Sequence, residues 1–309
     1  MNLTRMIIDC DPGLDDALAL LLAHADPSVV IEAVTTVGGN VALADTTRNA
    51  LELREYLGFT DVPVAAGAAG PLEGEVRNAA EVHGSGGLGS VVLPAAALPL
   101  DERDAVTLII DLLRSNPGEI DLVAIGPLTN IALALRAEPR VAQWAKSFVI
   151  MGGSYTRGNT TPAAEFNVYA DPAAAAEVFA ADWQVVMVGL DLTLQARVTG
   201  AIKDRMLELG TLGTELVVPL STFWADPLDP DWGGQAVHDV CAIAYVTHPE
   251  LFRSTPARVD VETQGVFTAG MTVTNFRSPN PNAIVPTELD VDGFWDMVLA
   301  HYSAAAQAH

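Results

Sequence analysis

Short β-branched, apolar runs alternate along the chain with longer stretches whose apolar positions recur at helical spacing. That alternation argues an α/β domain with a mostly parallel central sheet flanked by helices. Met6 to Asp11 reads as a first strand, and Asp15 to Ala25 as a helix whose first turn carries acids, as the helix dipole favours. Val30 to Val37 is a second strand, Ala44 to Leu57 a helix stopped by Gly58, and Val62 to Ala66 a third strand. A helix near Ala105 to Arg114 precedes strands at Ile120 to Ile125, Ser147 to Met151 and Val185 to Leu190. The chain turns helical beyond Gly200, becomes strand-rich from Arg258 to Asp290 and closes with a helix from Asp292. No internal repeat and no interdomain linker interrupts the pattern, so residues 1–309 are expected to form a single domain.

The unusual polar clusters follow strands: Asp11 to Asp16, Gly39-Asn40, Gly126 to Asn130 and Gly152 to Asn167. Ligands of open parallel sheets bind at the carboxyl ends of the strands, so these clusters are expected to share one rim. The Gly- and Ala-rich connection from Gly67 to Leu100, which contains Val82-His83-Gly84, is long enough to suggest a functional loop.

Charge narrows the partners. Acidic residues outnumber basic ones 39 to 16, for a net charge of −23, which opposes binding to a nucleic-acid backbone. No apolar run is long enough for a membrane span, and Met1 to Arg5 lacks the features of a signal peptide. The two cysteines, Cys10 and Cys241, imply no disulfide framework and fit a reducing cytoplasm as small buried apolar residues.

The sharpest chemistry lies in Asp9-Cys10-Asp11-Pro12-Gly13-Leu14-Asp15-Asp16. Pro12 and Gly13 turn the chain sharply between strand and helix, so several carboxylates gather at one point. Carboxylates that close repel unless a proton or a cation neutralises them. With oxygen donors and no clustered thiols or paired histidines, a hard cation such as Ca²⁺ or Mg²⁺ is favoured over zinc. The blander account of any lone Asp-Asp pair is helix-start acids beside a turn.

With DCDPGLDDALAL stand GPLTNIALAL, MGGSYTRGNTTPAAEFNVYADPAAA, VHDVCAIAY, GMTV and LDVDGFWD, in that order. Together they resemble the inosine-uridine-preferring nucleoside hydrolase family nearly end to end. The resemblance implies a Rossmann-like nucleoside hydrolase fold and calcium-dependent hydrolysis of the N-glycosidic bond of ribonucleosides. It implies Ca²⁺ ligands at Asp11, Asp16 (through both oxygens), Asp239 and the main-chain carbonyl of Ile125, where the family usually has Thr. Asp11 is then also the general base acting on a metal-bound water. Asp15, Asn159, Glu165 and Asn167 match residues that hold the ribose, and Asn40 matches a further pocket residue. His238 matches a leaving-group donor and His83 a second base-side histidine, although Gly86 stands where the family often has a polar residue. For Asp9, a structural carboxylate at the strand end is at least as good an account as a catalytic one.

The two histidines resemble the inosine-uridine or pyrimidine-preferring branches. Residues 223–232, rich in Pro, Asp and Trp, read either as a lid over the base or as a rigid surface loop. Family members are commonly homodimers or homotetramers. Two other readings stay open at this point. One is a nucleoside or ribose receptor without turnover, which needs neither Asp11 as base nor His238 as donor. The other is a phosphotransferase, which needs cations around phosphate, whereas Arg157 is the lone basic residue near these clusters.

Overall fold

The computed structural model describes residues 3–225 and 233–308. Nine strands among these residues form one sheet in the order β3-β2-β1-β4-β5-β6-β9-β7-β8. They are β1 (Thr4–Cys10), β2 (Val29–Thr36), β3 (Val64–Ala66), β4 (Ile120–Ala124), β5 (Ser147–Met151), β6 (Val185–Val188), β7 (Phe252–Val261), β8 (Thr272–Asn275) and β9 (Ala283–Leu289). Every pairing from β3 across to β9 is parallel, and only β9-β7 and β7-β8 run antiparallel. The mostly parallel sheet and the strand-rich C-terminal segment thus match expectation, with β7 starting at Phe252, six residues before Arg258.

Both faces are covered, which is why the inner strands read as continuous apolar runs rather than alternating ones. Side chains alternate between two cores. Met6, Ile8 and Cys10 of β1 point into one, and Ile7 into the other. The first core packs against helices Leu14–Ala25, Leu43–Leu57, His238–Thr247 and Val291–Ala308, and the second against Ala105–Ser115, Thr129–Ala137 and Pro172–Ala180. The connection 67–100 holds one short helical turn, Ala80–His83, and otherwise no regular element.

From β1 the chain winds outward through β2 to β3, then returns to β4 on the other side of β1 and winds away. The strand order therefore reverses between β1 and β4, where an open α/β sheet forms its crevice. The ladder extends past both strands there: Ile125 N donates to Asp9 O at 2.8 Å, and Val37 N to Cys10 O at 3.0 Å. Asp11, Val37 and Ile125 consequently leave the sheet side by side.

Candidate active site

The turn at Pro12-Gly13 is held by Asp16. Its Oδ1 accepts from Asp11 N at 3.1 Å, and its Oδ2 from Gly13 N at 2.9 Å and Asn40 Nδ2 at 3.0 Å. Reaching back from the first helical turn to the residue that caps it is a capping-box contact. Part of the acidic signal in this segment is thus helix-start chemistry. The Asn40 amide also donates to Asp11 O at 3.1 Å, and Asn40 N to Asp11 Oδ2 at 2.6 Å.

Asp11 lies in a glycine cradle. A Cβ on Gly39 would stand 2.1 Å from its Oδ2, and one on Gly126 2.6 Å from its Oδ1. Neither glycine has a positive φ, so the demand is for close approach rather than for an unusual backbone. Asp11 Oδ1 is buried and finds no hydrogen-bond partner among the described residues.

Asp15, Asp16 and Asp239 bring carboxylate oxygens within 4.8 Å of one another, and all three side chains are buried. Asp239 arrives at the start of helix His238–Thr247, where its N lies 3.4 Å from Asp15 Oδ2. Burial, with the neighbouring acids adding to it, raises Asp11 and Asp239 well above the usual carboxylate range and Asp16 to about 7. An unpaired buried atom and mutually raised acids are the mark of a site that takes up positive charge. The oxygen-only donors suit a hard cation. Three N–H groups already occupy Asp16, so two-oxygen binding by that carboxylate requires the Asn40 amide to turn aside.

The Ile125 carbonyl faces the same point and accepts from Asn167 Nδ2 at 2.8 Å; that amide also donates to Met151 O at 3.1 Å. Glu165 caps the turn Phe166–Ala170, accepting from the backbone N–H of Asn167, Val168 and Gly153 at 2.8, 3.1 and 2.9 Å. Burial nevertheless raises its carboxyl to about 7. Asn159 Oδ1 accepts from Phe166 N at 3.0 Å, tying the exposed loop to this turn.

Two histidines line the cavity, both pulled below their ordinary pKa by burial and therefore neutral at pH 7. His83 Nδ1 accepts from Leu14 N at 3.0 Å, which leaves its proton on Nε2. His238 Nδ1 pairs with Thr193 Oγ1 at 2.6 Å. Gly86, the departure from the family pattern, anchors the His83 loop through its carbonyl, which accepts from Asn49 Nδ2 at 2.8 Å.

Asp15, Asn40, His83, Ile125, Asn159, Glu165, Asn167, His238 and Asp239 line one cavity of about 340 Å³, while Asp11 and Asp16 lie fully buried beneath it. That volume suits a small organic ligand. All the anticipated residues therefore come together. Asp9 stays in the sheet, its Oδ1 accepting from Thr35 Oγ1 at 2.5 Å and Asn130 Nδ2 at 2.8 Å, in keeping with a structural carboxylate. Of residues 223–232, Trp224 lines the cavity, whereas 226–232 lie outside the described residues.

Sequence reasoning missed Thr193, which carries no motif, and the apolar wall of Met151, Phe166, Leu190 and Leu194. It also counted Arg157 as the lone nearby cation. Arg197 reaches the same cavity, brought there by a backbone bridge between Arg197 and Ala236 just before His238.

An open α/β sheet with a buried acidic cluster and two neutral histidines around a ligand-sized cavity defines a Rossmann-like enzyme acting on a small molecule. A sequence model described as inosine-uridine preferring nucleoside hydrolase matches residues 6–296. An inosine-uridine preferring nucleoside hydrolase of Leishmania major is 45% identical over 301 residues, spanning 96% of each chain. A pyrimidine-specific ribonucleoside hydrolase of Citrobacter koseri is 40% identical, spanning 97% of this chain and 99% of its own. The solved purine-preferring ribonucleoside hydrolase of Gardnerella vaginalis is similar at a TM-score of 0.93 and 29% identity, over 99% of this chain and 100% of that one. The chain belongs to the inosine-uridine preferring nucleoside hydrolase family and is a hydrolase acting on N-glycosyl compounds.

Proposed function

We propose that this hydrolase releases the free base and ribose from ribonucleosides in a calcium-dependent reaction, with inosine, uridine and other pyrimidine nucleosides as its preferred substrates. The observation that carries the calcium reading is the buried carboxylate cluster of Asp15, Asp16 and Asp239 beside the unpaired Oδ1 of Asp11. Asp11, Asp16, Asp239 and the Ile125 carbonyl would hold the ion. When bound, calcium supplies charge that acidifies water and orients ribose hydroxyls.

The chain's own groups divide the remaining work. Asp11, clamped by Gly39, Gly126 and Asn40 N, is the general base that takes the proton of the attacking water. Asp15, Asn159, Glu165 and Asn167 read the ribose hydroxyls, with Asn40 bracing the floor. Carboxylates close to the sugar favour the positive charge that develops as the glycosidic bond breaks. His238 hydrogen-bonds the departing base; in the tautomer that accepts from Thr193 at Nδ1, Nε2 carries the proton. His83 offers its Nε2–H to the same region. The preference for inosine and pyrimidines rests on this histidine pair and on relatives named for those substrates.

The same reading takes residues 1–309 as one domain that works in the cytoplasm as a homodimer or homotetramer. Both cysteines are free and buried, in keeping with a reducing compartment, and no helix among the described residues is long and apolar enough to cross a membrane. The test is a kinetic panel of purine and pyrimidine ribosides with calcium added or stripped. Base release from uridine, cytidine and inosine should vanish in excess chelator and return with calcium. Undiminished turnover after chelation would refute calcium dependence, and adenosine or guanosine as the best substrate would refute the base preference.

A further inference from the structure

The two helices that carry the pocket acids at their first turns end together at the far side of the molecule. Helix Leu14–Ala25 is capped by Asp26 and helix His238–Thr247 by His248; His301 reaches the same point from helix Val291–Ala308. One donor atom from each of Asp26, His248 and His301 lies within 4.8 Å of the others.

Asp26 is almost wholly buried. Its Oδ1 accepts from Ser28 N at 2.8 Å and Ser28 Oγ at 2.6 Å, whereas the buried Oδ2 has no hydrogen-bond partner among the described residues. That oxygen faces His301 Nε2 at 3.8 Å. A carboxylate oxygen left so is costly unless a positive charge meets it. His248 Nδ1 lies 2.9 Å from Thr247 Oγ1, and the Thr247 hydroxyl lies 3.3 Å from Ile243 O, to which it donates. In the tautomer in which Nδ1–H donates to Thr247, Nε2 keeps its lone pair for a metal. Such an outward hydrogen bond on the far ring nitrogen is what fixes a ligating imidazole.

We propose that Asp26, His248 and His301 form a second metal site, separate from the acidic pocket, for a divalent transition ion of the zinc class. Two imidazoles and one carboxylate suit zinc, whereas calcium takes oxygen donors. Adjacent donors on a tetrahedral ion with bonds of ~2.1 Å stand about 3.4 Å apart, so the Asp26–His301 pair at 3.8 Å needs to close by a few tenths of an ångström and no pair, all lying within 4.8 Å, by more than about 1.4 Å. The carbonyl ends of two helices point their partial negative charge the same way. The His301 side chain keeps 19% exposure, giving an ion a route from solvent. The site ties the ends of two helices to the middle of a third and takes no part in the hydrolysis.

Zinc titrated calorimetrically into calcium-saturated protein should show one binding event per chain. Cobalt in its place should give visible absorption bands from nitrogen and oxygen ligands at low coordination number. His301→Ala and His248→Ala should each weaken zinc binding at least about a hundredfold, while Asp16→Asn, in the acidic pocket, should leave it unchanged. Should either alanine variant lose its circular dichroism, Asp26→Asn, which keeps the Ser28 contacts through Oδ1, is expected to stay folded and to show the same weakening of zinc binding. Zinc bound equally well by the folded variants, or only zinc that calcium competes away, would overturn the proposal.

Discussion

Gly126→Ala tests the clamp on Asp11 with one methyl group. That Cβ would lie 2.6 Å from Asp11 Oδ1, 3.0 Å from Asp11 Cγ and 3.0 Å from Val37 Cγ1. An ordinary carbon–oxygen contact is about 3.4 Å, so the carboxylate must retreat by about 0.8 Å, and on its other side Oδ2 is held by Asn40 N at 2.6 Å. A misplacement of that size costs about a hundredfold in rate, equivalent to about 2.7 kcal/mol of transition-state stabilisation. Because Ile125, whose carbonyl is a proposed calcium ligand, is the preceding residue, the calcium concentration for half-maximal activity should rise as well. The assay is kcat/KM for base release across a calcium titration, with Gly200→Ala as control, since a Cβ there meets nothing within 4 Å. Wild-type kcat/KM in Gly126→Ala, within about threefold, would refute the argument that Asp11 must sit where the two glycines hold it.

Burial raises Glu165 from 4.5 to about 7, so the native chain holds a proton that the unfolded chain releases between those values. That contribution to stability is complete below pH ~4.5 and declines as pH rises through ~7, by up to about 3 kcal/mol. Urea melts should show a flatter pH profile in Glu165→Gln; an identical profile would dismiss the burial effect. His83→Ala strands the Leu14 N–H at a buried helix start and should cost about 1–3 kcal/mol, with His83→Asn recovering part of it. Urea midpoints equal to wild type in His83→Ala would contradict that role.

The parallel core was legible because strands buried on both faces leave unbroken apolar runs, as Met6 to Ile8 does, and the long helices show their period over many residues. The edges were less so. β3 has three residues instead of the expected five from Val62, and Leu190 belongs to a helical turn, Leu190–Thr193, after β6. Short elements are set by tertiary pairing, which no local pattern records. In the site, the carboxylates and amides stood out because their spacing around Pro12-Gly13 and after Gly152-Gly153 has little other use. Thr193 and Arg197 did not, because each earns its place only by where Gly189 to Val198 and Gln235 to Val237 meet in space. Gly39 and Gly126 stood only as members of the polar clusters after strands, while their service is to leave room for Asp11.

The contact between Asp15 and Asp239 spans 224 positions of chain. At about 5–20 residues per second of synthesis, the first acids wait about 11–45 s for the last one to be made. Through that interval the growing chain has a strand–turn–helix start but no complete claw for an ion. On the ligand set proposed above, cation capture is a late event that only the finished chain completes, and a truncated product that keeps only the N-terminal motif is expected to stay metal-free and inert.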